Sequence, residues 1–400
     1  MSKPSESHDL GADALASTGE ALPLSGMVVV EFCQIAAGPY CGMLLADMGA
    51  DVIKVEPPTG DAMRQWPPLN GGFSENFASI NRNKRSVALD LKNPEDLATA
   101  LKLAKRADVL LENNRPGVMD RLGLGYEALS KENPGLVYCS ISAFGQQGPR
   151  SREGAFDVTM QGISGIMSVT GEPDGEPVKC GVPVSDFATG LYGAFNISSA
   201  LLKRSLTGRG THIDAPMLGA SLGIAALQTS EFFGTGKHPR KLGSKHPRNA
   251  PYQAYRASDE FFVIAAGNDR LWASVCDVIG TPELLDDERF RTTSDRAANQ
   301  DAMKPLLEAK FGHATAQQWL TRFREAGVPS APIYQYGEIL DDPQVQSYGW
   351  VQDMQLPNGA DIRTFGAPIS MSGLDFPIRR AAPELNADRD DVMNWLAQEK

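Results

Sequence analysis

The sequence predicts an α/β fold, with a largely parallel sheet covered by helices on both faces and a smaller α+β unit beyond it. Three observations predict it. Short apolar runs alternate with helix-patterned stretches from Met27 to Phe144. Proline and glycine mark the starts and stops of those stretches. After Phe233 a basic segment, GKHPRKLGSKHPRNAPY, gives way to a hairpin pattern and further helices, and reads as a linker opening a second unit.

The elements follow in order. Met27 to Phe32 (MVVVEF) is a short continuous apolar run and therefore a strand. AAGPYCGMLLADMGA continues as a helix, with Pro39 as its first helical residue and Gly49 as its stop, and DVIKVE closes the unit as a second strand. The pattern recurs as strand Ser86 to Leu91, helix Leu97 to Lys105, strand Val109 to Asn113, a short helix Gly117 to Leu122 and strand Val137 to Phe144. In open parallel sheets ligands sit beyond the carboxyl ends of the strands, which directs attention to the loops CQIAAGP, EPPTGDAMR, NNRPG and GQQGP. From Gly154 two longer helices are expected, Asp157 to Ser168 and Phe187 to Leu206, separated by a Gly/Pro/Asp-rich turn. The second carries Phe187, Leu191, Ala194, Ile197 and Leu201 on one face and stops at Gly208. Beyond the basic segment, YQAYRA and FFVIAAG form a hairpin about SDE, with helices over Leu271 to Ile279 and Ala314 to Ala326. VQDMQLPNGADIRTF is a hairpin turning at Asn358-Gly359, and Asp390 to Gln398 is a terminal helix.

Composition narrows the function. With 42% hydrophobic residues the 400-residue chain can bury a sizeable core, which excludes wholesale disorder. A net charge of −11 excludes whole-surface attraction to nucleic acid or to an anionic membrane, so any anion must be met locally. No apolar run reaches the roughly eighteen residues of a membrane span. Residues 1–23 carry Glu6, Asp9, Asp13 and Glu20 and no basic-then-apolar leader, and they read as a flexible tail. Cys33, Cys41, Cys139, Cys180 and Cys276 are too scattered for a disulfide framework and offer no metal-ligand spacing, so a cytoplasmic protein with no bound metal is expected. The five histidines leave few candidates for imidazole chemistry.

Asp186 stands at the start of a helix among small neighbours, SDFATGLYG. Such a residue is either an N-cap meeting free N–H groups, or a carboxylate nucleophile that needs no base at neutral pH. Lys237, Arg240, Lys241, Lys245 and Arg248 form either a solvated loop or a docking surface for phosphates or a substrate carboxylate. Gly219-Ala220-Ser221-Leu222-Gly223 matches the nucleophile elbow of the α/β-hydrolases, with His313 downstream, but Asp214 and Pro216 sit where the buried strand leading into it belongs. Gly123-Leu124-Gly125 with Ala128 matches a dinucleotide fingerprint, yet it follows a helix rather than a strand.

Taken together and in this order, AAGPYCGMLLADMGADVIKVE, GDAMR, NRNKRSVALDLKNP, ENNRPGVMDRLGLGYE, ISAFGQQGP, SDFATGLYGA and GVPSAPI resemble the class III CoA-transferases, the family of formyl-CoA and carnitine CoA-transferases, from Leu24 to Tyr348. The resemblance implies a Rossmann-like large domain with a parallel sheet, a smaller α+β domain inserted in it, and two subunits threaded through each other as an interlocked dimer. On that pattern 1–23 is the tail, 24–225 the large CoA-binding domain, 226–335 the small domain, and 336–400 a C-terminal segment returning to the large domain. It also implies that Asp186 attacks the acyl-CoA thioester to give a mixed anhydride, that CoA thiolate converts this to an aspartyl-CoA thioester, and that an acceptor carboxylate then takes the CoA. Thioester free energy is approximately conserved and no ATP is needed. Backbone N–H groups at Ala36 and Ala37, and in the Ala265-Ala266-Gly267-Asn268 segment, would meet the oxyanions.

CoA contacts carry over to Asn113, Asn114, Arg121 and Leu122, with acyl-CoA as a substrate and no tightly bound cofactor implied. The chain departs from family patterns at Ala36, where some members have glutamine, at Ser142, where they have lysine, and at Pro57, where they have an adenine-side arginine. The related α-methylacyl-CoA racemases use a histidine in a G-H-D segment, which here reads Ala155-Phe156-Asp157, so a two-base racemase lacks its base. Asn268 stands near the racemases' further acid. NRNKRSVALD, PYQAYRASDEFFVIAAGND and DFATGLYG look most like enzymes that move CoA from succinyl-CoA to a dicarboxylic acid such as glutarate, with Arg64, Lys245 and Arg248 as candidates to hold the distal carboxylate. The alternatives are a racemase, a hydrolase using Ser221, and a non-catalytic subunit of a heterodimer, against which the intact Asp186 argues. A homodimer is the expected assembly, with no nucleic-acid or membrane partner.

Overall fold

A computed structural model describes residues 20–398; residues 1–19 of the expected tail and residues 399–400 lie outside the described residues. Of the tail's remainder, Leu22 is buried and packs with Ala367 and Phe376.

β1 (Val28–Phe32), α1 (Ala37–Asp47) and β2 (Asp51–Glu56) form the predicted strand, helix, strand unit. Ala36 is the N-cap of α1, so Pro39 is its third residue rather than its first. A short antiparallel pair, β3 (Leu69–Asn70) and β4 (Phe73–Ser74), leads into α2 (Glu75–Asn81), whose first turn is capped by the Ser74 hydroxyl. β5 (Lys84–Ala88) begins two residues before the apolar run that predicted it. Its two basic residues are held in the sheet by acids: Lys84 Nζ lies 2.8 Å from Glu31 Oε2, and Arg85 pairs with Asp51.

α3 (Pro94–Arg106), β6 (Val109–Glu112), α4 (Val118–Arg121), α5 (Tyr126–Glu132) and β7 (Val137–Ser142) complete the alternation. The single helix expected from Asp157 to Ser168 is instead α6 (Asp157–Ile163) and α7 (Ile166–Val169), because Gly165 between them takes a φ of +88°. α8 (Val184–Thr207) is longer than predicted and ends at Gly208 in the left-handed region. β8 (Thr211–Pro216), α9 (Met217–Ile224) and α10 (Ala226–Thr235) follow.

The six long strands form one parallel sheet in the order β5-β2-β1-β6-β7-β8. Side chains alternate between its faces, so Val29, Val52 and Leu111 pack with Leu45 and Ile197 on one side, while Val30, Ile53 and Leu110 pack with Leu103 on the other.

Two compact units divide the chain. The first comprises the residues up to Ile166, Cys180–Ser230 and the residues from Gln344; the second comprises Met167–Lys179 and Glu231–Pro343. Residues 167–179, which the sequence assigned to the large domain, fall in the second unit, where Lys241 Nζ donates to the carbonyl of Glu176 at 3.1 Å and Gly243 N–H donates to the Gly171 carbonyl at 2.9 Å. The structural divisions at 230 and 343 lie beyond the 225 and 335 expected.

The second unit holds the predicted hairpin, β9 (Tyr252–Arg256) and β10 (Phe261–Ala265), with an unpredicted third strand, described below, antiparallel to β10. α11 (Asp269–Ile279), α12 (Thr293–Ala298), α13 (Gln300–Phe311) and α14 (Ala316–Glu325) close on a core of Tyr255, Phe262, Trp272, Phe311 and Phe323. The third strand is β11 (Ser330–Pro332), and α15 (Tyr336–Leu340) follows it.

α16 (Pro343–Ser347) leads to the second predicted hairpin, β12 (Val351–Gln355) with β13 (Asp361–Phe365), and the chain ends in α17 (Arg389–Ala397). This returning segment covers the edge strand β5. Asp388 accepts the Ser86 N–H and Asn386 the Ala88 N–H, each at 2.8 Å, so donors that an edge strand leaves open are satisfied.

Candidate active site

Strand order makes a crevice before any side chain is considered. The chain runs outward from β1 to β2 and β5 and then returns to place β6 on the other side of β1. The loops after β1 and β6 therefore lead away from each other, which opens a cleft at the carboxyl end of the sheet. A cavity of about 460 Å3 lies there, lined among others by Gln34, Ala36, Ala37, Asn113, Arg115 and Asp186.

Asp186 reaches this cavity because α8 packs close to α1. A Cβ on Gly190 would lie 2.8 Å from the Tyr40 ring and 2.9 Å from the Ala37 carbonyl oxygen; one on Gly193 would lie 3.0 Å from Cys41 Sγ. Only glycine permits that approach, and Phe187 completes the contact against Tyr40 with ring centroids 4.5 Å apart.

The N-cap reading of Asp186 fails on geometry. α8 starts at Val184 after Pro183, which places Asp186 inside the first turn. Asp157 supplies the missing acceptor instead: its Oδ1 takes the Ser185 N–H at 2.9 Å and the Asp186 N–H at 3.4 Å, while Gln161 Nε2 donates to its Oδ2 at 2.6 Å. Burial, and then the neighbouring Asp157 charge, push the Asp186 carboxyl up to about 7.

Opposite charge is offered by α1. No side chain caps it, and the N–H groups of Ala36 and Ala37 make no hydrogen bond among the described residues. The positive end of the helix dipole and these free donors therefore border the same cavity as the Asp186 carboxyl.

Asn113 and Asn114 hold the surrounding loops. Asn113 accepts the Gln34 N–H at 3.0 Å and donates to the Gln34 carbonyl at 2.8 Å. Asn114 donates its N–H to Glu112 Oε2 at 2.8 Å, and burial raises that carboxyl to about 7 against the hydrogen bonds it receives. Gln34 and Asn114 also line a second, smaller cavity of about 220 Å3, with Val55, Pro57, Leu91 and Lys92. Ser142 faces the first cavity, and its hydroxyl accepts the Gly145 N–H.

Other expected site residues lie elsewhere. Arg121 is exposed at the end of α4 and Leu122 packs against the sheet's core, and neither lines these cavities. Arg64 is engaged within the fold: its Nε and Nη2 donate to Glu56 at 2.8 and 2.6 Å, its Nη1 donates to the Pro383 carbonyl at 2.9 Å, and it stacks on Phe77. It is not placed to hold a substrate carboxylate. Gly267, Lys245 and Arg248 belong to the second unit. There Lys245 pairs with Asp301 at 2.7 Å and Arg248 with Glu231 at 3.3 Å; a Cβ on Gly267 would press on Asn249 at 2.7 Å. Asn268 is the N-cap of α11.

Ser221 is excluded as an exposed nucleophile, but not for the reason expected. Thr211–Pro216 is a strand, at the sheet edge, yet Ser221 lies within α9, fully buried and donating to Ser185 Oγ at 2.9 Å. Phe156, in the racemase histidine's place, is 69% exposed and lines the cavity. Sequence reasoning missed Gln34, Lys92 and Arg115, although all lie in or near the strand-exit loops. Arg115 is the single cation among the residues lining the larger cavity.

Fold and site describe an α/β chain whose strand-exit loops border a cavity that a carboxyl group, Asp186, also lines. The sequence matches CoA-transferase family III over residues 24–389, and the chain belongs to that family; it is an enzyme that transfers CoA. It is 41% identical over 367 residues, 91% of this chain and 93% of the relative, to the acetyl-CoA:oxalate CoA-transferase of Acetobacter aceti. To the succinate–glutarate CoA-transferase of Agrobacterium fabrum it is 38% identical over 382 residues, 94% and 96% of the two chains. The crystal structure of a CAIB/BAIF family protein from Brucella suis superposes with a TM-score of 0.84 at 39% identity, covering 94% of this chain and 99% of that one.

Proposed function

We propose that this enzyme moves CoA from succinyl-CoA to a dicarboxylic acid through covalent intermediates on Asp186. The observation that carries the mechanism is the shared cavity of the Asp186 carboxyl and the unpaired Ala36 and Ala37 N–H groups. An Asp186 oxygen attacks the thioester carbonyl, the C–S bond breaks and CoA thiolate leaves, giving a mixed anhydride. The thiolate attacks the Asp186 carbonyl carbon and succinate departs, leaving an aspartyl-CoA thioester. The acceptor carboxylate displaces the thiolate to form a second anhydride, whose acceptor carbonyl the thiolate then takes, regenerating the Asp186 carboxylate. Each tetrahedral oxyanion is met by the α1 N–H groups, whose orientation is set before substrate arrives.

CoA lies across the loops after β1, β2 and β6 in this reading, from the smaller cavity with Lys92 to the larger with Asp186. Arg115 meets an anionic group of the bound substrates. The dicarboxylate acceptor is supported by the names of relatives acting on oxalate, glutarate and mesaconate, and the donor by those named for succinyl-CoA. The exposed apolar residues of α8, Phe195 at 69%, Leu202 at 66% and Leu206 at 82%, support burial by a second subunit in an interlocked homodimer.

The test is rapid-quench peptide mass analysis after mixing with succinyl-CoA and no acceptor. A CoA-sized, hydroxylamine-sensitive adduct on the peptide holding Asp186 is expected; steady CoA release or Cα deuterium exchange without an adduct overturns the mechanism. Sedimentation at low concentration tests the assembly, and a folded monomer would contradict interlocking.

A further inference from the structure

We propose that Asp61 is a positioning residue for acyl transfer, holding Ile35 in the backbone conformation that presents the Ala36 and Ala37 N–H groups to the thioester. The inference rests on the catalytic reading of Asp186 above.

Among the described residues other than glycine, three have positive φ: Asn83, Asn386 and Ile35, at +67°. Asparagine tolerates this region, whereas a β-branched side chain is strained there, so something outside the loop must hold Ile35. The contact is Asp61, only 1% exposed, whose two carboxylate oxygens lie 3.2 and 3.1 Å from the Ile35 nitrogen.

Asp61 is itself fixed on every side. Its N–H donates to Glu56 Oε2 at 2.9 Å, its Oδ1 accepts the Met63 N–H at 3.0 Å, and Lys54 Nζ lies 3.0 Å from its Oδ2. Lys54 also donates to the Cys33 carbonyl at 2.8 Å and to Glu31 at 3.1 Å. The clamp of Arg64 on Glu56 and on the Pro383 carbonyl braces this group against the C-terminal segment.

The loop is consequently held group by group. The Cys33 carbonyl is taken by Lys54, the Gln34 N–H and carbonyl by Asn113, and the Ile35 N–H by Asp61. The next two N–H groups, at Ala36 and Ala37, are left unpaired beside the Asp186 cavity. Preorganised donors stabilise an oxyanion only if their direction does not relax, and a strained residue immediately before them relaxes unless restrained. The GDAMR segment thus serves the reaction from beneath the loop, without lining the cavity.

The experiment compares Asp61→Asn, Asp61→Asn with Ile35→Gly, Ile35→Pro and Asp186→Asn in the full-length enzyme, with succinyl-CoA and glutarate as probes. Asp61→Asn keeps the Oδ1 that takes the Met63 N–H but sets an amide NH2 against the Ile35 N–H and Lys54 Nζ in place of Oδ2. It is expected to lower kcat and the rate of adduct formation by about 10- to 100-fold, with KM for succinyl-CoA changed less than about threefold. Adding Ile35→Gly, which takes the same φ without strain, is expected to recover about tenfold. A merely structural role would not produce that rescue. Ile35→Pro keeps every buried charge but removes the N–H that Asp61 accepts and forbids positive φ, so it breaks the restraint from the loop side and reports even if Asp61→Asn does not fold; it is expected to lower kcat by about 100-fold or more. Normal kcat in Ile35→Pro, or loss in Asp61→Asn confined to KM and unrelieved by glycine, overturns the proposal. If Asp186→Asn retains transfer the covalent reading itself falls; if it is inactive while the Asp61 and Ile35 variants keep their kcat, only this proposal falls.

Discussion

Asp157 caps the helix that carries Asp186, accepting the Asp186 N–H at 3.4 Å and the preceding Ser185 N–H at 2.9 Å. One acid thus does two things to the other. It orients the first turn of α8, and its charge adds to burial in raising the Asp186 carboxyl to about 7.

That raised value fixes the sign of a pH dependence. In the proposed mechanism the nucleophile is the ionised form, so single-turnover adduct formation is expected to rise with pH and level off above about 7. Asp157→Asn keeps an acceptor for the Ser185 N–H but removes the charge. Its profile should move to lower pH; an unmoved profile would show that Asp157 does not act on Asp186 electrostatically.

The same shift bears on stability. A carboxyl raised above its unfolded value of about 4 stabilises the fold through its retained proton below that pH, and the contribution is lost as pH rises through about 7. Asp186→Asn has no proton to lose, so it should be inactive yet more stable than the parent above neutrality, by the order of 1 kcal/mol. Thermal melts at about pH 5 and pH 8 check this, the gap widening at the higher pH.

Gly190→Ala should separate α8 from α1. The added methyl would meet backbone at 2.9 Å, which neither helix can yield cheaply, so a destabilisation of about 1–3 kcal/mol is expected together with slower adduct formation. Gly234, in α10 with nothing within 4 Å of an added Cβ, provides the control; its alanine variant should leave adduct formation unchanged and should not lower stability, since alanine favours a helix over glycine.

Arg64→Met and Arg115→Met should fail differently. Removing Arg64 takes from Glu56 the bidentate partner that with Lys54 holds it below the usual carboxylate range despite burial, leaving the Asp61 N–H, the Ser86 hydroxyl and the Lys54 charge, and should cost about 3 kcal/mol of stability. Arg115→Met should leave the melting temperature unchanged and raise KM for a substrate by about tenfold, since a lost charged hydrogen bond is worth that much. Steady-state kinetics beside thermal melts separate the two; a selective KM effect from Arg64 with an intact fold would return it to the binding site.

Period and punctuation, read locally, determined the strand, helix, strand unit from Val28 to Glu56, the body of α8 from Phe187 to Leu206, both hairpins and the terminal helix. These follow from side-chain spacing and backbone stereochemistry, which act over a few residues. Family motifs in a fixed order then pointed to CoA transfer, as the matched family bears out. Local signals mislead where distant partners decide. β5 starts at Lys84 because Glu31, 53 residues earlier, neutralises it. Asp186 is no cap because Asp157, 29 residues earlier, occupies that role. Arg64 looked like a free cation in an exit loop and is instead a brace reaching Pro383, 319 residues on. Spacing along a chain reveals which face a residue takes; which charge it meets there depends on crossovers and on the return of the C-terminal segment, and only the tertiary structure decided those.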